Sequence, residues 1–262
     1  MMSRGQRIAL LWGLTALAAA GMFLFAPAIP QDPAYHRLAD ARGWLGIPRF
    51  GDVMSNLPFT LVGLAGLGAL WRGWFGVPSM GEGDPVPFAY FFAGVALVGP
   101  GSAWYHLDPN NATLFWDRLP MTIAFMGLVA AVLSDRVSRG WVACRGLNLL
   151  VLGGAASVFW WDYGEMRGAG DLRAYALVQF WPVVLIPLVL YLFPEGRHVR
   201  ARYLVIALVF YGLAKLFEHY DHGVFELTGG AVSGHSIKHL FAAGAPAAIL
   251  AMMRRWPREV AV

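Results

Sequence analysis

Two histidine-bearing motifs stand out in the chain because an imidazole nitrogen can ligate a metal. The first lies in Gly101-Ser102-Ala103-Trp104-Tyr105-His106, and the second in Gly234-His235-Ser236-Ile237-Lys238-His239. Ser102 and His106 are four residues apart, as are His235 and His239, so on helices each pair shares one face. Between them comes Trp116-Asp117-Arg118-Leu119-Pro120-Met121, whose carboxylate can act as a general base. Three nitrogen ligands with an open fourth position make a catalytic zinc arrangement, in which a coordinated water is acidified toward neutrality. In that reading His106, His235 and His239 are the metal ligands. Asp117 orients the water and takes its proton, and Ser102 hydrogen-bonds the developing oxyanion.

Each residue also has a plainer reading. Asp117 before an apolar run suits a helix N-cap. Ser102 can bond back to a carbonyl one turn earlier, and His106 alone can be a polar interfacial residue. A histidine pair can instead ligate haem or line a proton path. Haem leaves Asp117 and Ser102 without a duty. Cys144 is the single cysteine, which rules out an intrachain disulfide and a thiolate cluster, so any metal must rely on His, Asp or Glu.

The elements that must position these residues are membrane helices. The 262 residues are 58% hydrophobic and 14% charged, with mean hydropathy +0.53, outside the composition of an ordinary water-soluble domain. A spanning helix needs about twenty mostly apolar residues, and eight such runs are present, near 8–28, 54–74, 86–106, 116–134, 141–161, 173–193, 202–220 and 234–253. The expected fold is therefore all-α, a polytopic membrane bundle of seven helices plus one extra N-terminal helix. Residues 1–30 form an anchor or a secretory signal, 31–53 a periplasmic loop and 54–254 the seven-helix domain. The first run has Arg4 and Arg7 ahead of it and Ala26-Pro27-Ala28 after it, which fits a signal, but its apolar length favours a retained anchor.

Basic residues set the orientation. With the N-terminus inside, the inner segments carry Arg4, Arg7, Arg72, Arg136, Arg139, Arg145, Arg197, Arg200, Arg202, Arg254, Arg255 and Arg258. The outer side carries fewer arginines and also Asp108, Glu165, Asp171, Asp221 and Glu226. That topology brings Ser102, His106, Asp117, His235 and His239 to similar depth at the non-cytoplasmic face. The basic residues serve orientation, and no nucleic-acid partner is expected.

The three motifs, with Ser55-Asn56 at the start of the second run, resemble the signature of the alkaline ceramidase family, within the CREST group of seven-helix membrane hydrolases. The resemblance covers about residues 50 to 255. It implies zinc held by His106, His235 and His239, water activated by Asp117, a hydroxyl contribution from Ser102, and hydrolysis of the amide of a ceramide-like lipid to a long-chain base and a fatty acid. Eukaryotic members carry an acidic calcium-binding N-terminal segment. Here Gln31 to Asp52 holds only Asp32, Asp40 and Asp52 among arginines, so calcium is not expected. The extra first helix, compact loops and Arg-rich turns suggest a bacterial member, in the inner membrane with its site toward the periplasm. The partners expected are a lipid amide substrate and membrane lipids, while the oligomeric state is left open by the sequence. A lipid-binding or sensor protein without turnover is the competing class.

Lesser features complete the reading. Glu218, His219, Asp221, His222 and Glu226 form either a second metal site or, more simply, a solvated helix end. Lys215 snorkels or pairs with a buried acid. Trp160, Trp161 and Tyr163 read as an interfacial belt, and Asn111-Ala112-Thr113 matches a glycosylation sequon.

Overall fold

A computed structural model describes residues 2–72, 85–138, 145–196 and 198–254. Several sequence readings, those on Arg139, Cys144, Arg197, Arg255 and Arg258, lie outside the described residues. The elements are α1 (Arg4–Phe25), a 3-10 turn (Pro33–His36), α2 (Phe50–Met54), α3 (Leu57–Trp71), α4 (Val86–Leu107), α5 (Asn111–Arg136), α6 (Leu147–Glu165), α7 (Arg173–Leu192), α8 (Ala201–His219), α9 (Asp221–Leu227) and α10 (Gly234–Met253). The chain is an all-α polytopic bundle, as its hydropathy requires.

Among the described residues, six helical stretches are long and apolar enough to cross a membrane: α1, α2 with α3, α4, α5, α7 and α10. The two other expected spans fall on α6 and α8, each of 19 residues. At a rise of about 1.5 Å per residue they too reach across most of a bilayer's hydrocarbon core. They are less apolar for a local reason: α8 carries Arg202, Lys215 and Glu218, and α6 carries Trp160, Trp161, Asp162 and Glu165 toward its end. Both pack lengthwise on apolar spans, α6 on α5 and α8 on α10.

Burial sorts the helices. In α5 72% of the apolar window is buried, against 6% in α1, so α5 is the central post and α1 lies at the periphery against α7. Large apolar side chains such as Phe25, Trp71 and Tyr191 point outward. A water-soluble chain would hide these residues, but in lipid they meet their own kind.

Two helix starts differ from the sequence reading. The second span begins at Phe50 and is broken at Ser55-Asn56. The fourth begins at Asn111, capped by Asn110, whose side chain accepts from the Thr113 amide at 3.1 Å. Asp117 therefore sits inside α5, and the helix-cap reading of that residue is excluded. The belt reading also changes at one position. Trp160 and Tyr163 are exposed, but Trp161 is fully buried, because its indole N–H donates to Glu165 at 3.2 Å and its ring lies under Arg118.

Candidate metal centre

The site forms where α4, α5 and α10 meet the broken α2–α3 span. α4 and α5 approach closely because Gly101 has no side chain: a Cβ there would overlap the carbonyl oxygen of Trp116, the residue before Asp117. This brings Ser102 and His106 of α4 against Asp117 of α5, and the Asp117 carboxylate has the Ser102 hydroxyl as a polar neighbour.

The start of α10 is held by its own cap residue and by two carboxylates from elsewhere. Ser233 caps it, accepting from the Ser236 amide at 2.9 Å. Asp221 accepts from the His235 amide at 2.8 Å, and its other oxygen accepts from the Ala39 amide at 2.9 Å. Asp52, fully buried on α2, accepts from the hydroxyls of Ser233 at 2.8 Å and Ser236 at 2.7 Å. Two carboxylates at a helix N-terminus meet its partial positive charge. The position of His235 and His239 is thus fixed by groups that are distant in sequence.

The three imidazoles pack edge to face, with ring centroids 4.7 Å apart for His106 and His235, 4.9 Å for His106 and His239, and 4.8 Å for His235 and His239. One ligand nitrogen from each can be chosen so that all lie within 4.8 Å of one another, and all three residues are buried. Both ring nitrogens of His106 and Nε2 of His239 have no hydrogen-bond partner. Buried polar atoms are normally paired, and a metal ion would satisfy one ring nitrogen of His106 and Nε2 of His239. His239 is also oriented from behind. Its Nδ1 is 2.7 Å from the Ser55 hydroxyl, which itself donates to the Asp52 carbonyl at 3.0 Å. Ser55 must therefore accept from Nδ1–H, which leaves the Nε2 lone pair facing the cluster. The residues present fit a divalent metal held by nitrogen donors.

Lys238 lies beside the centre, with its ammonium 3.0 Å from His235 Nε2 and 3.4 Å from Glu218. Glu218 also pairs with Lys215, as expected for a lysine within that helix. In the neighbouring acidic cluster His219, His222 and Glu226 are exposed, as a solvated helix end requires, while Glu218 and Asp221 are engaged inside the protein. Glu218 is engaged by two lysines, Asp221 is buried as a cap for α10, and His222 Nε2 meets the Arg37 carbonyl at 3.1 Å. Among the described residues, the one group with metal-site geometry is His106, His235 and His239.

A cavity of about 550 Å³ opens from the centre into the bundle. Ser102, Asp117, Lys238 and His239 line its polar end, and Val95, Phe125, Leu128, Ile186 and Ile249 line its apolar reach. Sequence reasoning did not assign roles to Asp52, Lys238 or Arg118, and it noted Ser55 through the resemblance alone. The local signal for Asp52 is a carboxylate at the edge of an apolar run, where ionisable residues are expensive.

No protein-family model matches the chain, and no curated protein matches it.

Proposed function

We propose that the chain is a zinc-dependent membrane hydrolase of the alkaline ceramidase type, cleaving the amide bond of a ceramide-like lipid to a long-chain base and a fatty acid. The observation that carries this reading is the conjunction of three buried imidazoles, with ligand nitrogens within 4.8 Å of one another, and a cavity that has Ser102 and Asp117 at the same end. A binding site for an ion alone has no need of a long apolar chamber. A lipid amide needs one for its chains and a polar end for its linkage.

In this mechanism His106, His235 and His239 hold the metal. When bound, zinc supplies a Lewis acid for the scissile carbonyl and an acidified water. Asp117 accepts the proton of the attacking water, since it is the carboxylate that lines the cavity beside Ser102. Ser102 donates to the oxygen on which charge develops. The apolar walls exclude bulk water from the reacting carbonyl. The orientation follows the arginine distribution, with the site toward the periplasmic face of a bacterial inner membrane.

Protein purified in mild detergent should contain about one zinc per chain, as a site of this kind holds a single ion. His239→Ala should lose both the metal and the release of fatty acid from a lipid amide. Full activity in protein shown to be metal-free would overturn the reading, as would zinc retained at wild-type stoichiometry in the variant.

A further inference from the structure

Three cations line the cavity: Arg118, Lys215 and Lys238. The two lysines share the Glu218 carboxylate. Among the described residues, Arg118 has no ion pair. It is 6% exposed. Its Nη2 donates to the Gln31 side-chain oxygen at 2.6 Å, while Nη1 is buried with no hydrogen-bond partner. Aromatic rings surround the guanidinium, with Trp161 at 4.3 Å, Tyr175 at 4.9 Å and Tyr35 at 5.7 Å from ring centroid to Cζ.

The ring faces attract the positive charge, and the Tyr35 hydroxyl is a polar neighbour of the guanidinium, but Nη1 itself has no acceptor. A buried guanidinium donor without an acceptor is costly. A planar fork of N–H groups on a cavity wall matches one ligand chemistry above others, a carboxylate bound through parallel hydrogen bonds. Asp117, the preceding residue, lines the same cavity, so an anion at Arg118 sits in the chamber that holds the proposed reacting groups.

We propose that Arg118 is the anion subsite of the cavity and that the amphiphile bound there carries a carboxylate. This deepens the lipid-amide reading and rests on it for one question only, whether the carboxylate belongs to the substrate, an acidic lipid amide, or to the fatty acid released. Binding itself does not depend on turnover.

The test titrates detergent-purified protein with oleate and with oleyl alcohol, which share a chain and differ in the anion. Wild type should bind oleate about tenfold more tightly, the scale of one charge-assisted contact. Arg118→Gln should abolish that preference with oleyl alcohol binding unchanged, Arg118→Lys should retain part of it, and His239→Ala should keep it. Equal binding of the two probes by wild type overturns the proposal without any variant. So does a preference that survives in Arg118→Gln and disappears in His239→Ala, which would put the carboxylate at the histidines. Absence of zinc or of any hydrolysis would instead sink the hydrolase reading and leave the binding result standing. For the source of the anion, N-oleoylglycine is compared with N-oleoylethanolamine. An Arg118-dependent preference for the glycine conjugate assigns the carboxylate to the substrate. Equal hydrolysis with Arg118-dependent inhibition by oleate assigns it to the product. Neither effect, in an active protein, overturns the subsite.

Discussion

His239 can present only one lone pair to the cluster, because Ser55 has a single hydroxyl proton and gives it to the Asp52 carbonyl. The imidazole then has to donate through Nδ1, and its tautomer and ring angle are set before any metal arrives. Removing that partner leaves the ligand in place but frees its orientation. Ser55→Ala should lower metal affinity about 10- to 100-fold, the usual cost of losing such a supporting contact, with the protein still folded. Competition with a zinc chelator measures it, and an unchanged affinity would show that packing alone orients the ring. The three-histidine cluster was legible in the sequence because residues four apart on a helix share a face, and because ionisable residues in apolar runs are expensive. Ser55 as an orienting group was not, since its partner is 184 residues away and nothing in local spacing records the contact. Arg118 was hidden for a related reason: its meaning lies in the missing acceptor at Nη1, which only the packed structure reveals.

Helices that carry ligands must also meet at the right distance, and here small residues decide it. Gly101 lets the Trp116 carbonyl sit where a side chain would be, Gly94 admits the backbone of Ala124 at 2.5 Å from a would-be Cβ, and Gly127 admits that of Phe91 at 2.6 Å. These three contacts run along one seam between α4 and α5. Neither helix can give way without shifting the Ser102, His106 and Asp117 cluster. Gly101→Ala should therefore destabilise the protein by about 1–3 kcal/mol, the range for forced overpacking, and should weaken zinc retention as well. Gly153 on α6 has nothing within 4 Å of a would-be Cβ, so Gly153→Ala should be neutral or slightly stabilising. Thermal unfolding in detergent compares the two, and equal losses would mean that helix propensity outweighs the seam. Hydropathy revealed most of the spans, since lipid demands long apolar runs. It did not reveal which helices pair: in a membrane the outward face is as apolar as the inward one, so the pattern that marks a buried side in water is absent. The break at Ser55-Asn56 and the early start of α5 were missed because short polar insertions and capping residues barely alter a twenty-residue average.

At the scale of the whole molecule, the peripheral α1 is tied down at its two ends and lies against α7 between them. At one end the Arg4 guanidinium donates to the Val137 carbonyl and Arg7 to the Leu192 carbonyl, each at 2.8 Å. At the other, Arg173 donates to the Ala26 carbonyl at 2.8 Å, the Leu172 amide to the Ile29 carbonyl at 2.8 Å, and the Ile29 amide to Asp171 at 3.4 Å. Asp171 is the acid that organises this second tie, since it also pairs with Arg173 at 2.8 Å. The Arg173 guanidinium holds its carboxyl below the usual carboxylate range, assisted by backbone hydrogen bonds from Arg173 and Ile29. A carboxyl whose folded pKa is depressed contributes stability that is fully present above its unfolded value, near pH 4, and is lost as pH falls through the folded value. Solvent at the partly exposed Arg173 reduces the size of this contribution and leaves its sign unchanged. The expected signature is a difference that closes with acid. Asp171→Asn should unfold at a lower temperature than wild type at neutral pH, and the gap should narrow as pH drops below about 4, where the wild-type carboxyl takes up its proton. Thermal unfolding in detergent across pH 7 to 3 provides the comparison, with hydrogen exchange along residues 26–32 reporting whether the loosened segment is the junction of α1 with α7. A gap that stays constant over that range would assign the effect to lost side-chain packing and remove the carboxylate from the account of how α1 is held.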